Sequence, residues 1–159
     1  MAAEPHDALR GSALLRDFSE VGLRILGEAS QPRVVGRGAF AFRAGEPSAA
    51  LVFVARGTLQ LVGRDGGAPL GEAGAGDTLG GLALLAPGEH LVSALAATDV
   101  ELLQLTREAF EELQRARPRT ALKLTLALAR DLTERLQEAR GPLREFLVWQ
   151  ISKRQSEQR

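Results

Sequence analysis

Apolar and polar positions change their spacing twice along this chain. Between Asp7 and Arg16, Leu9, Ala13 and Leu14 recur at helical intervals, which predicts a first helix. Ser19 stands as an N-cap for a second helix over Glu20–Ala29, where Val21, Ile25 and Leu26 form an apolar stripe. Ser30-Gln31-Pro32 ends it. From Arg33 to Leu105 the helical period disappears. Short apolar runs (Val34-Val35, Ala39–Phe42, Leu51–Ala55, Thr58–Val62, Leu91–Ala97, Val100–Leu105) alternate with turns such as Gly36-Arg37-Gly38, Ala44-Gly45-Glu46-Pro47 and Arg56-Gly57. Many short strands with such punctuation predict an all-β sandwich or barrel, with a hairpin tip at Val62–Gly67. After Leu105 the helical period returns. Thr106 caps Arg107–Ala116, and Pro118 opens a long helix running to about Arg140. On that helix Leu122, Leu126, Ala129, Leu132 and Leu136 form one stripe, while Leu124 and Leu128 face elsewhere. Two apolar faces call for two partners: the β-structure and a second surface. Gly141-Pro142 breaks the pattern, and a last short helix from Leu143 to about Gln155 carries Phe146, Leu147, Val148, Trp149 and Ile151.

The predicted fold class is therefore α+β. An antiparallel, jelly-roll-like β-roll of about eight strands is flanked by N-terminal helices and a long C-terminal helix. The divisions fall at 1–32 (helices), 33–105 (roll), 106–140 (short helix and long helix) and 141–159 (helical tail). The chain has 159 residues, 45% of them apolar and 25% charged, enough to bury a core without disulfide or metal. Its 20 basic and 20 acidic residues cancel, so there is no bulk attraction to nucleic acid or anionic membrane. There is no cysteine, and the only histidines are His6 and His90, so thiol chemistry and a histidine-rich metal site are excluded. No apolar run approaches the roughly 20 residues that span a bilayer, and the N-terminus carries no secretory pattern. These features predict a cytoplasmic protein, and the wealth of Ala, Arg, Gly and Leu suits a GC-rich bacterial genome.

The stretch with candidate chemistry is Gly76-Asp77-Thr78-Leu79-Gly80-Gly81-Leu82-Ala83-Leu84-Leu85, followed by Pro87, Gly88 and His90. Glycines before a short helical turn let a ligand approach the main chain, and the turn's first N–H groups face outward as anion donors. The stretch lacks the charged side chains such a cradle ordinarily uses.

In these residues the chain resembles the cyclic nucleotide-binding domain of Crp/Fnr-type regulators, over roughly residues 14–140. The resemblance is carried by Ala44-Gly45-Glu46, Phe53-Val54-Ala55-Arg56-Gly57, Gly76-Asp77, Leu79–Leu85, the run Ala97-Thr98-Asp99-Val100-Glu101-Leu102-Leu103 and the helix start at Pro118. In that family a phosphate-binding cassette reads Phe-Gly-Glu-Leu-Ala-Leu, then Arg-Ala or Arg-Ser. Its Glu accepts from the ribose hydroxyl and its Arg pairs with the cyclic phosphate. Gly80, Leu82 and Ala83 match the pattern; Leu79 stands for the Phe, Gly81 for the Glu and His90, followed by Leu91, for the Arg. Polar residues that touch the base in that family are replaced by Arg135 and Leu136.

The resemblance implies a degenerate ligand site built from Gly80, Gly81, Leu82, Ala83, His90 and Leu91, with Glu72 or Glu89 as candidate replacements for the missing carboxylate. It implies no resident cofactor, with a cyclic nucleotide as the candidate small ligand. The residues after Pro142 are too few for the winged helix-turn-helix that follows in such regulators, so no DNA contact by that route is expected. Expected partners are a second copy through Leu122, Leu126, Leu132 and Leu136, or another protein through Phe146, Leu147, Trp149 and Ile151. A membrane-surface role for the tail has only a small excess of positive charge behind it. Enzymatic activity is not expected: two histidines cannot furnish a cupin-like metal site, and no nucleophile–base arrangement is visible. The expected function is a stand-alone regulatory or adaptor module; the alternative is a second-messenger sensor with a rewired pocket.

Overall fold

A computed structural model of the chain describes residues 4–139, 141 and 145. The expected tail helix, with Phe146, Leu147, Trp149 and Ile151, lies outside the described residues.

The N-terminal helix is shorter than the sequence suggests. Helix α1 (Pro5–Arg10) has proline in its first turn and stops at Gly11, and a separate 3-10 turn follows at Ala13–Leu15. Ser12 is extended, at φ −77° and ψ 125°, so the single helix expected over Asp7–Arg16 is broken. Glycine is a poor interior helix residue, and the break lets Leu9 and Leu15 enter one core. Helix α2 (Glu20–Ala29) is capped as expected, the Gly22 N–H donating to Ser19 Oγ at 3.2 Å. Its buried face is Gly22, Leu23, Leu26 and Gly27; Val21 is exposed instead of packed.

Ten short antiparallel strands follow among the described residues. Strands β1 (Gln31–Val35), β2 (Phe40–Phe42), β3 (Pro47–Ser48), β4 (Ala50–Arg56) and β5 (Leu59–Val62) precede β6 (Gly71–Ala73) and β7 (Thr78–Leu79). Strands β8 (Gly88–Glu89), β9 (Ser93–Ala96) and β10 (Val100–Thr106) complete the roll. One sheet has the order β1-β10-β4-β7, the other β2-β9-β5-β6, and β3 pairs with β8. Pro32 does not end α2; it sits in β1, an edge strand, where its missing N–H is tolerated. The β5–β6 connection is longer than a tight hairpin, since pairing resumes only at Leu61↔Gly71.

Strand β4 shows why the roll and the helices form one body. It is buried on both faces, and side chains alternate across a strand. Leu51 and Phe53 join the core under the helices, and Val52 and Val54 join the core inside the roll. Strand β10 does the same with Leu103 and Leu105 on one side and Val100 and Leu102 on the other. Where the turn after β4 crosses the turn before β10, only glycine fits. Gly57 has φ +88°, and a Cβ there would lie 2.2 Å from the Asp99 carbonyl oxygen.

Helix α3 (Arg107–Ala116) is capped by Thr106 Oγ1, which accepts from the Ala109 N–H at 3.1 Å. Helix α4 (Pro118–Glu138) buries Ala121, Leu124 and Leu128. The stripe assigned to a second partner faces outward: Leu122 is 60% exposed, Leu126 57% and Leu132 38%, with Leu136 half-buried. Among the described residues no helix is long and apolar enough to cross a membrane.

Candidate functional site

The Gly76-Asp77 step is a structural clasp. Gly76 N–H donates to the Val54 carbonyl, and Val54 N–H donates to the Asp77 carbonyl, both at 3.0 Å. The Asp77 side chain accepts from the Gly74 N–H at 2.8 Å. This pins the chain as it enters β7, whose Thr78 and Leu79 pair with Phe53 and Val52. Gly80 then turns at φ +73°, and a Cβ there would lie 2.7 Å from the Ala50 carbonyl oxygen. A left-handed residue pressed on a neighbouring strand must be glycine.

Gly80 leads into a 3-10 turn at Gly81–Leu84, the counterpart of the cassette. Ala83 and Leu84 are buried, whereas Leu82 and Leu85 point outward at 53% and 46% exposure. Gly81, in the position of the family's Glu, could take a side chain only if Leu128 shifted. A Cβ there would lie 2.7 Å from Leu128 Cδ2 and 3.7 Å from Leu51 Cδ1. The long helix therefore reaches the cassette through Leu128. Arg135, one of the two positions aligned with base-contacting residues, instead pairs with Asp131 at 2.8 Å on its own helix.

His90 follows β8 and is fixed by its backbone. Its N–H donates to the Glu46 carbonyl at 2.9 Å, and its carbonyl accepts from the Gly45 N–H at 2.8 Å. Its ring stacks on Phe42, with centroids 3.8 Å apart and planes 8° from parallel. Burial lowers the His90 pKa below the usual histidine value, with the Glu46 carboxylate acting in the opposite sense. Burial thus disfavours the imidazolium, and the neutral imidazole carries one N–H donor. Its neighbour Leu91 is 88% exposed. Of the two candidate replacement carboxylates, Glu89 is ion-paired with Arg64 at 3.6 Å, and Glu72 lies on β6 opposite Gln60. Among the described residues no cluster of three or more acidic, histidine or cysteine side chains could hold a metal.

The sequence-based site thus comes together only in part. Gly80, Gly81, Leu82 and Ala83 form one turn, but His90 lies against Phe42. Sequence reasoning missed Arg107. From the start of α3 its Nε donates to the Ala83 carbonyl at 2.8 Å, and its Nη2 reaches the carbonyls of Ala86 at 3.3 Å and Ser48 at 3.4 Å. One guanidinium fork gathers the end of the cassette turn onto α3. No local motif announces this, because its partners are 21 to 59 residues away in sequence.

Residues 32–117 match the family model described as the cyclic nucleotide-binding domain. The chain is 33% identical over 129 residues to the cyclic AMP receptor protein of Thermus thermophilus, a match covering 79% of this chain and 60% of that protein. Among solved structures, the N-terminal domain of a transcriptional regulator from Streptomyces coelicolor A3(2) superposes with a TM-score of 0.73 at 27% identity. That similarity covers 85% of this chain and 99% of the other. The Thermus thermophilus catabolite activator protein superposes with a TM-score of 0.66 at 33% identity, over 80% of this chain and 61% of the other. The chain thus spans about 60% of the length of the curated relative it matches.

Proposed function

Because the chain belongs to the cyclic nucleotide-binding domain family, we propose that it is a cytoplasmic regulatory module that keeps the roll, does not grip a cyclic nucleotide in the family's usual way, and acts through protein contacts. The observation that carries this reading is the backing of Gly81 by Leu128: where the resemblance expects a carboxylate for a ribose there is glycine, and a Cβ there would lie 2.7 Å from Leu128 Cδ2. Where the resemblance expects a guanidinium there is an imidazole stacked on Phe42, whose burial disfavours its charged form. Hydrogen bonds to charged groups contribute about 1.5–3 kcal/mol each, so losing both weakens binding by about two to four factors of ten. The exposed stripe Leu122, Leu126 and Leu132 supports a contact with a second copy through α4. Calorimetry with cyclic AMP and cyclic GMP tests the reading. The expected dissociation constant is weaker than about 100 μM, and micromolar binding would overturn it.

One observation favours a second reading, a sensor with a rewired pocket. The backbone bonds to Gly45 and Glu46 and the stack on Phe42 fix His90 a few residues beyond the cassette turn, and its imidazole is the side chain there that could donate to an anion. On that reading some cyclic mono- or dinucleotide raises the melting temperature, and His90→Ala abolishes the rise.

A further inference from the structure

A second feature lies away from the cassette, where the start of α2 meets the first turns of α4. A shallow cavity of about 200 Å³ is lined there by Phe18, Val21 and Ile25 on one side and by Arg119, Thr120 and Lys123 on the other. Its apolar side is unusually open for helix residues, Val21 being 59% exposed. Its two cations are unbalanced. Among the described residues neither Arg119 nor Lys123 belongs to an ion pair; Lys123 Nζ donates to the Asp17 backbone carbonyl and lies 5.1 Å from the centre of the Phe18 ring. The nearby Asp17 carboxylate is already taken by Arg130 at 2.7 Å. The corner between α3 and α4 adds Arg117, also unpaired among the described residues, in a chain whose net charge is zero.

From this we infer that the α2–α4 cavity is a docking site for an acidic protein segment, one that seats an apolar side chain between Val21 and Ile25 and sets carboxylates against Arg119 and Lys123. The argument is charge complementarity over a concave apolar floor. Helical segments dock in grooves through apolar anchors spaced i, i+3, i+4 and i+7, and opposite charges at the rim select the partner and speed its arrival. The same charges disfavour the alternatives within this chain. A second copy's α4 would bring Arg119 and Lys123 of its own, and the 143–159 tail is itself basic, with Arg144, Lys153, Arg154 and Arg159 against Glu145 and Glu157. This inference rests on the reading that the protein works through protein contacts. On α4, Arg119 and Lys123 stand three residues before Leu122 and Leu126 and so border the leucine stripe, but the apolar floor, Val21 and Ile25, lies on α2. Peptide binding weakened in Val21→Ser with an unchanged sedimentation coefficient therefore separates this site from self-association through that stripe.

The test uses the full chain and two designed amphipathic peptides, with leucines at those helical spacings and glutamate, or lysine, at every other position. Fluorescence polarisation should show the glutamate peptide binding about tenfold or more tightly than its lysine counterpart, with affinity falling as salt rises. Amide shifts on binding should centre on Val21, Ile25 and Thr120. Arg119→Glu should remove the preference. It is safe for folding, because Arg119 is exposed and an acidic residue suits the first turn of a helix. Val21→Ser should weaken binding without changing the charge preference. Equal affinity for the two peptides, no binding up to about 1 mM, or shifts confined to another face would each overturn the inference. So would binding to phosphatidylserine vesicles, but not to the peptide, that Arg119→Glu abolishes.

Discussion

Replacing Gly81 by alanine should change sign with what stands behind it. In the native protein the new methyl would lie 2.7 Å from Leu128 Cδ2, well inside van der Waals contact. The obstructing atom ends a flexible side chain, so it yields in part. Leu128, however, is only 5% exposed and shares a core with Leu51, Leu84 and Leu124. Overpacking costs about 1–3 kcal/mol, and a yielding methyl in a crowded core argues for the middle of that range. Against this, Gly→Ala at an ordinary backbone conformation stabilises by about 0.4–1 kcal/mol through the unfolded chain. The net expectation is a loss of about 1 kcal/mol. In a Leu128→Ala background, itself destabilised by about 2–5 kcal/mol, the obstruction is gone and only the gain remains. Urea unfolding of the four proteins reads this directly. With a slope of about 2 kcal/mol per molar, Gly81→Ala should lower the midpoint by about 0.5 M alone and raise it slightly in the Leu128→Ala background. Equal upward shifts in both backgrounds would refute the claim that Leu128 closes the cassette.

Other outcomes follow from the same geometry. Gly80→Ala should cost about 2–4 kcal/mol, because a left-handed backbone is combined with contact against the Ala50 carbonyl, a main-chain atom that cannot swing away; a loss below 1 kcal/mol by urea unfolding would contradict it. Arg107→Met should cost about 1.5–3 kcal/mol and speed hydrogen exchange over residues 81–86, and unchanged exchange would show that the guanidinium does not hold the turn. Because burial lowers the His90 pKa, the folded state resists its protonation. This contribution to stability is complete above the unfolded value of about 6.5 and is lost as pH falls through the folded pKa. The melting temperature of the native protein should thus fall more below about pH 6.5 than that of His90→Gln; parallel profiles would contradict this. Leu122→Glu with Leu126→Glu should leave protomer stability within about 0.5 kcal/mol yet convert a sedimenting dimer to monomer, and an unchanged sedimentation coefficient would rule out α4 as the seam.

The features legible in the sequence are those with local physical signatures. The caps Ser19 and Thr106 fix helix starts, Pro118 opens α4, and the apolar runs of β4, β5, β9 and β10 announce strands. The two faces of α4 were readable as well, since Leu124 and Leu128 turn inward and Leu122 and Leu126 outward. Strands β3, β7 and β8 have two residues each, too few to show a period, and exist only because a partner strand is present. The break at Gly11-Ser12 was hidden because Leu9, Ala13 and Leu14 keep helical intervals straight across it. At the site, the cassette glycines could be located, but not why they are glycines. Gly80 answers to Ala50 and Gly81 to Leu128, contacts made across the fold. The Phe42–His90 stack and the Arg107 fork are likewise encounters between distant segments.

The central claim is that the roll persists while its grip on a cyclic nucleotide does not. The most direct measurement is a titration of the ¹⁵N-labelled protein with cyclic AMP into the millimolar range, following the amides of Gly80, Gly81, Ala83 and His90. Small, linear, unsaturated shifts are expected at these positions. Saturating shifts centred on the Gly81–Leu84 turn, with a dissociation constant in the micromolar range, would contradict it.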